Sequence, residues 1–155
     1  MDALKYVSQV QKYDILIEKK KEQRTEYLAM ASCITSPMGG ERVQTSGSKQ
    51  RMADAVNESV EIGEQILREH NELMIKRREI VLTLEKLDVT SYEILYLMYV
   101  GKMKFDKNGN YKVHYLGIKE IAGHFAKTDT WARTAHRKAL AELQKVLDEK
   151  EKEVG

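Results

Sequence analysis

The chain has 155 residues, with 26 Lys and Arg against 24 Asp and Glu, which gives a net charge of +2. The whole molecule is therefore not a polycation, and any positive charge that binds nucleic acid must be concentrated in one part of its surface. Its single Pro and its 32% of charged residues favour a mainly α-helical fold. The single Cys33 excludes an internal disulfide, and no stretch approaches the roughly 20 apolar residues of a membrane helix. These features predict a cytoplasmic protein with no membrane partner.

The first module, residues 1–87, is predicted to be a long antiparallel helical hairpin. Asp2 can cap a helix that runs to about Ala31, and apolar residues at helical spacing predict a second helix from Arg51 to Leu87. A helix of that length needs a partner along it, and the first helix can supply one in a coiled-coil-like pair. A second copy of the chain is the competing partner, which leaves a homodimer through the N-terminal helices open.

The segment 34–50 between these helices carries Pro37, three glycines and several Ser and Thr residues, which predict a loop. Two interpretations of this loop stay open. It is either a flexible connection or a functional loop that grips a phosphate backbone or a polymerase surface. The candidate functional residues are Arg42, Gln44, Thr45 and Ser46.

The second module, residues 88–147, is predicted to be a three-helix core. Thr90 to Glu93 has the form of a capping box, which begins a helix to about Val100. The stretch from Gly117 to Leu147 contains the other two helices. Residues 148–155 form a charged tail that we expect to fray.

A small β-hairpin is predicted as an insertion in this core, over residues 102–115. Apolar residues alternate on either side of Asn108-Gly109, a pair that suits a tight turn. Its lysines either reach a flanking phosphate or keep an exposed edge from pairing with other chains. They are Lys102, Lys104, Lys107 and Lys112.

The last two helices are predicted to form a helix-turn-helix. The first of them, about three turns long, has an apolar stripe of Ile118, Ile121, Ala122 and Phe125. Thr128 can then cap the second helix, and Asp129 suits the positive end of its dipole. The inner face of that helix is predicted to contain Ala132, Ala135, Ala139, Leu140, Leu143 and Leu147.

The opposite face of the second helix is the candidate DNA-binding site. Arg side chains can read guanine through two parallel donors, Thr can contact base edges or the thymine methyl group, and Lys binds phosphates. The alternative is that these side chains are an ordinary solvated face. The candidate residues are Lys127, Thr128, Thr130, Trp131, Arg133, Thr134, Arg137 and Lys138.

These residues resemble the helix-turn-helix of sigma-factor region 4, and more closely that of phage-encoded late-gene activators of Gram-positive bacteria, the autolysin-regulator-like group. The shared letters are Ile121-Ala122, and His136 followed by Ala139-Leu140. The resemblance extends to the segment from Ile34 to Gly47, ITSPMGGERVQTSG, which is similar to ITSPLGGDRVQSSG in that family. It implies a regulator of transcription that binds double-stranded DNA and contacts RNA polymerase; the 102–115 hairpin departs from the family pattern.

The leading expectation is therefore a sequence-specific DNA-binding regulator of transcription. An alternative is a DNA-packaging or assembly protein, similar to a small terminase, that uses the same helix-turn-helix. We expect no enzyme, cofactor or metal site. The sequence has no paired carboxylates, no Ser-His-Asp pattern and no zinc-ligand spacing around its four histidines.

Overall fold

The computed structural model describes residues 1–35 and 46–154. The predicted fold class is confirmed at the level of a mainly helical chain with a two-stranded antiparallel sheet. The elements in chain order are α1 (Ala3–Val7), α2 (Gln9–Thr35), α3 (Ser46–Leu84), α4 (Val89–Leu95), a π-helical segment (Tyr96–Val100), β1 (Lys102–Phe105), β2 (Tyr111–His114), α5 (Ile118–His124) and α6 (Asp129–Val154).

The chain forms two compact units. Unit 1 contains Met1–Asp14 and Leu73–Gly155, and unit 2 contains Ile15–Glu72. Unit 1 is thus discontinuous in sequence, whereas unit 2 is contiguous. The division into modules 1–87 and 88–147 rests on sequence patterns and remains a prediction.

The first predicted helix, from Asp2 to about Ala31, is interrupted at Ser8. Asp2 caps α1 as predicted, because its carboxylate accepts from the amide of Lys5 at 3.2 Å. Ser8 keeps a near-helical backbone with a ψ of −9°. The helix resumes as α2 and continues past the predicted end, to Thr35.

The loop predicted over residues 34–50 is too long, because α3 begins at Ser46 instead of Arg51. The first three residues of α3 are Ser, Gly and Ser, each of which costs at most about 1 kcal/mol in a helix relative to Ala. The other residues of this 39-residue helix stabilise it enough to offset that cost. The other three candidates in this loop, Arg42, Gln44 and Thr45, lie outside the described residues. Only the backbone of Ser46 is described.

Unit 2 explains how the polar middle of α2 is accommodated. Lys20 forms an ion pair with Glu69 of α3, and both side chains are largely shielded, at 23% and 21% exposure. The guanidinium of Arg24 covers Gly63, where an added Cβ would lie 3.2 Å from the guanidinium carbon. Charged contacts therefore replace apolar ones here. The buried apolar residues of unit 2 include Ile17, Ala31, Ala55 and Ile62.

In unit 1, α4 begins earlier than predicted. Asp88 is its N-cap, since the Asp88 carboxylate accepts from the amide of Thr90 at 3.3 Å, so the capping box predicted at Thr90 is wrong. A carboxylate is a strong acceptor for a free helix amide, which makes Val89 the first helical residue. Ile94 and Leu95 of α4 are fully buried.

The helix predicted to continue to Val100 changes into the π-helical segment after α4. That segment ends at Gly101, whose φ of 74° and ψ of 174° are almost restricted to glycine. Arg77 of α3 donates to the carbonyls of Val100 and Gly101, at 3.1 Å in each bond. An added Cβ at Gly101 would lie 2.7 Å from Val113, so the end of the segment touches β2 directly.

The first residues of the chain pack on α6. The side chain of Gln144 accepts from the amide of Ala3 at 2.8 Å and donates to the carbonyl of Met1 at 3.1 Å. The amino group of Met1 pairs with Glu151 at 2.5 Å. Unit 1 is therefore closed by contacts between residues that are far apart in sequence. The buried residues of α1 are Ala3, Tyr6 and Val7.

Candidate nucleic-acid interface

α5 is a helix of 7 residues, which is shorter than the three turns predicted. It ends because the amide of Lys127 donates to the carbonyl of Ala122 at 2.8 Å and the amide of Ala126 donates to that of Gly123 at 3.2 Å. These are the two bonds of a Schellman motif. Ala126 is the residue of this motif that has a left-handed backbone conformation, with a φ of 54°. The turn that follows α5 therefore has a defined geometry.

Thr128 caps α6, as predicted. Its hydroxyl accepts from the amide of Trp131 at 3.1 Å, and its carbonyl accepts from the amide of Ala132 at 3.0 Å. Asp129 is the first helical residue and places a negative charge at the positive end of the helix dipole. The start of α6 is therefore fixed, and so is the direction of each side chain in its first turns.

The inner face of α6 is confirmed at its centre. Ala132, Ala139 and Leu143 are fully buried and Leu147 is nearly so, whereas Ala135 and Leu140 are half-buried. Small side chains at the first two positions let α6 approach its neighbours closely. The core cluster that includes Ala132 also contains Ile94, Leu97, Ile121 and Ala122.

The outer face of α6 exposes most of the predicted site. Lys127 and Thr128 are exposed in the turn before the helix. Within residues 1–35 and 46–154, the cationic side chains of this outer face form no ion pair. The exposed residues on α6 itself are Thr130, Arg133, Thr134, Arg137 and Lys138.

Trp131 is not fully on this outer face, in contrast to the prediction. Its ring centroid lies 5.3 Å from that of Phe125, and both rings pack against the core cluster. The Trp side chain is long enough to reach the core from the edge of the exposed stripe. Trp131 therefore lies at the border between the core and the outer face, half-buried.

A stacked pair of Tyr99 and His136 supports α6 from the inner side. The Tyr99 hydroxyl and Nε2 of His136 are 2.6 Å apart, and the ring centroids are 5.8 Å apart. Burial lowers the pKa of His136 and raises the pKa of Tyr99, because it disfavours the charged form of each ring. Two further histidines have acidic partners, His114 with Glu120 at 3.1 Å and His124 with Glu93 at 2.8 Å.

A groove of about 370 Å³ between α4 and α6 borders the outer face. Among its lining residues, Glu142 accepts from the amide of Asp88 at 2.8 Å and from the hydroxyl of Ser91 at 2.7 Å. Thr134 and Lys138 also line it. Glu142 and Ser91 were not singled out from the sequence, because a contact across 51 residues leaves no sign in local periodicity.

The β-hairpin predicted over residues 102–115 is confirmed as strands β1 and β2. Its turn is organised by Asp106, whose carboxylate accepts from the amides of Asn108 at 2.8 Å and Asn110 at 3.0 Å. Gly109 in this turn has a φ of 80°, which glycine adopts readily because it has no Cβ. The hairpin thus has a fixed register.

No helix in the described part of the chain combines the length and apolar character that crossing a membrane requires. Across residues 1–35 and 46–154, no three His, Cys, Asp or Glu side chains group as ligands of a metal ion. The chain matches no protein-family model, no curated protein and no solved structure.

Proposed function

We propose that this protein is a sequence-specific DNA-binding regulator of transcription, in which α5 and α6 act as a helix-turn-helix and α6 enters the major groove. The observation that carries the proposal is the outer face of α6. It presents exposed Arg133, Arg137 and Lys138 without an acidic partner in the described chain, on a helix whose opposite face is buried.

Opposite charges at i, i+4 spacing stabilise a helix and like charges at that spacing destabilise it. Asp129 and Glu142 lie four residues from Arg133 and Lys138, but neither forms an ion pair with them in the described chain. Arg133 and Arg137 are also four residues apart, so they repel each other along the same face. Such a like-charge pair costs about 0.2–0.5 kcal/mol in a helix. An anionic partner removes that cost, and a DNA duplex is one that fits a helix with two forked guanidinium groups.

Each exposed residue has a role in this proposal. Arg133 and Arg137 donate to guanine edges, and Thr130 and Thr134 contact bases or thymine methyl groups. Lys138, with Lys127 in the turn before α6, binds phosphates and sets the position of the helix on the duplex; such contacts carry no sequence information directly. These assignments give base readout and phosphate binding to different residues, so the two can be tested separately.

The test is selection of bound duplexes from a random pool, followed by sequencing, at near-physiological salt. We expect one enriched motif. Arg133→Ala and Arg137→Ala should each weaken binding to that motif by about 1–3 kcal/mol and relax the preference at one base pair. Arg78→Ala is the matched control, since Arg78 is exposed in α3 and forms no ion pair in the described chain. Unchanged binding by both variants of α6 would rule out this assignment.

We also propose that α2 and α3 pair as an antiparallel hairpin that dimerises or contacts RNA polymerase. The ion pair of Lys20 with Glu69 and the packing of Arg24 on Gly63 support antiparallel pairing, because the partner number falls as the α2 number rises. The resemblance to late-gene activators suggests the polymerase. Mass in solution separates regulation from packaging: a monomer or dimer supports regulation, and a closed ring of many copies supports packaging.

A further inference from the structure

The β-hairpin has one face made of basic side chains. Lys102, Lys104, Lys112 and His114 are exposed and share this face because side chains alternate along a strand. The other face contains Met103 and Val113, which are half-buried, and the adjacent rings of Phe105 and Tyr111. We refer to Lys102, Lys104 and Lys112 as the lysine face.

The register sets like charges against each other. Lys104 lies directly opposite Lys112 across the two strands. Like charges in directly opposed positions destabilise a sheet. Neither lysine has an ion pair in the described part of the chain, and neither does Lys102; only His114 on this face has an acidic neighbour, Glu120. The hairpin thus accumulates positive charge that no ion pair within the described residues neutralises.

Protection of an exposed edge does not explain this arrangement well. Lysines on the strands can keep another chain from pairing, but a Lys opposite a Glu would do so without the repulsion between Lys104 and Lys112. Concentrating three ammonium groups on one face instead suits a row of phosphates, each of which takes up a Lys as a point charge.

The hairpin is also attached firmly to the helices of the candidate interface. The amide of Leu116, just after β2, donates to the carbonyl of Leu97 at 3.0 Å. His114 pairs with Glu120 of α5 at 3.1 Å, and Tyr115 donates to Asp14 at 2.6 Å. Because α5 packs on α6, the lysine face is carried on the same core as the outer face of α6.

We infer that the lysine face of the β-hairpin is a second DNA contact, which binds the phosphate backbone of the duplex beside the base pairs that α6 reads. This inference rests on the proposed function for the identity of the duplex. Its contribution is independent of base sequence, so it should appear equally on the selected motif and on random duplexes.

The test is the triple variant Lys102→Gln, Lys104→Gln and Lys112→Gln. Binding is measured by fluorescence anisotropy between about 50 and 200 mM salt, on the selected duplex and on a random one. For each phosphate that the variant no longer binds, we expect the slope of log affinity against log salt to become shallower by about 0.9. Affinity should fall by the same factor on both duplexes, and the enriched motif should not change.

Two controls isolate the position of the charges. A triple variant at Lys5, Lys12 and Lys152 removes the same charge from exposed sites of unit 1 and should retain the wild-type slope. Replacing the three hairpin lysines by Arg should retain the wild-type slope, which would show that the positive charge at these positions makes the contact. Circular dichroism checks that each variant unfolds as the wild type does.

The outcomes separate this inference from the proposed function. If Arg133→Ala and Arg137→Ala weaken the motif while the hairpin variant keeps the full slope, the lysine face does not contact DNA and the proposed function stands. If no motif is enriched but the hairpin variant loses binding to random duplexes, the lysine face binds the phosphate backbone and the base readout proposed for α6 fails. Full DNA binding by the hairpin variant with loss of binding to RNA polymerase would overturn the inference in favour of a protein partner.

Discussion

At the scale of single residues, His136 links the stability of unit 1 to pH. Its ring is held against Tyr99, and burial lowers the pKa of His136 below its ordinary value near 6.5. As pH falls below about 6.5, the unfolded chain takes up a proton at this position more readily than the folded chain does. The free energy of unfolding should therefore decrease as the pH is lowered. It should level off once the pH is below the pKa of His136 in the folded state.

Urea unfolding at pH 7.5 and at pH 5.5, on either side of the ordinary pKa of about 6.5, measures this effect. His136→Gln retains a polar partner for Tyr99 but cannot take up the proton. We expect the loss of stability between the two pH values to be smaller in this variant than in the wild type. The same loss in both proteins would show that His136 does not contribute.

Residues whose role depends on immediate neighbours were predictable, and those that depend on distant ones were not. The cap at Thr128 follows from a hydroxyl that precedes an apolar stripe. The cap at Asp88 was missed because Thr90 offers an equally good local pattern, and the position of Trp131 was missed because Phe125 contacts it through the fold. Whether the outer-face residues bind DNA stays a prediction.

At the scale of elements, the turn between α5 and α6 depends on one strained residue. Ala126 has a left-handed backbone, which costs a residue with a Cβ roughly 1–2 kcal/mol. Ala126→Gly should relieve most of this cost, less the greater freedom that Gly gives the unfolded chain. We expect a net gain of about 0.5–1 kcal/mol in the free energy of unfolding.

Urea unfolding of the purified variant checks this prediction. The matched control is Ala141→Gly, which makes the same chemical change at an exposed position inside α6. There we expect a loss of about 1 kcal/mol. If both substitutions lower the free energy of unfolding, the Schellman turn does not strain Ala126.

Elements with a strong local code were found from the sequence, and elements set by packing were not. The β-hairpin over 102–115 follows from alternation around Asn108-Gly109. The π-helical segment has no such code, because Tyr96–Val100 has an ordinary apolar pattern and the wider turn is stabilised by Arg77, which is distant in sequence. The start of α3 at Ser46 was missed because turn-forming residues occupy its first positions.

At the scale of the whole molecule, Gln144 joins α6 to the start of α1. Besides a bond to Asp148 within α6, its side chain accepts from the amide of Ala3 and donates to the carbonyl of Met1, and these two bonds should contribute about 1 kcal/mol together after exchange with water. Gln144→Ala should lower the free energy of unfolding by about that amount and speed amide hydrogen exchange at Ala3.

Lys145→Ala is the control for that prediction, because Lys145 is exposed on the same helix. It should leave exchange at Ala3 unchanged. Equal protection of Ala3 in the Gln144 variant and the wild type would contradict the role given to Gln144.

The division into a discontinuous and a contiguous unit could not be predicted. Sequence patterns suggest a boundary near residue 87, where one long helix ends. In the structure, residues 1–14 group with 73–155, and α1 packs on α6. Such pairing depends on which apolar faces meet, and periodicity shows that a face exists without showing its partner.

The closure of unit 1 by α1 and α6 also imposes an order in time. During synthesis α1 is made well before α6, so its buried face must wait for that partner. Unit 2, whose residues 15–72 are contiguous, can fold while the later helices are still being made. Contacts across 141 residues form late and slowly compared with local helical ones. Tyr6 can meet Thr83 of α3 earlier, but the part of the apolar face of α1 that packs on α6 stays uncovered until α6 has emerged.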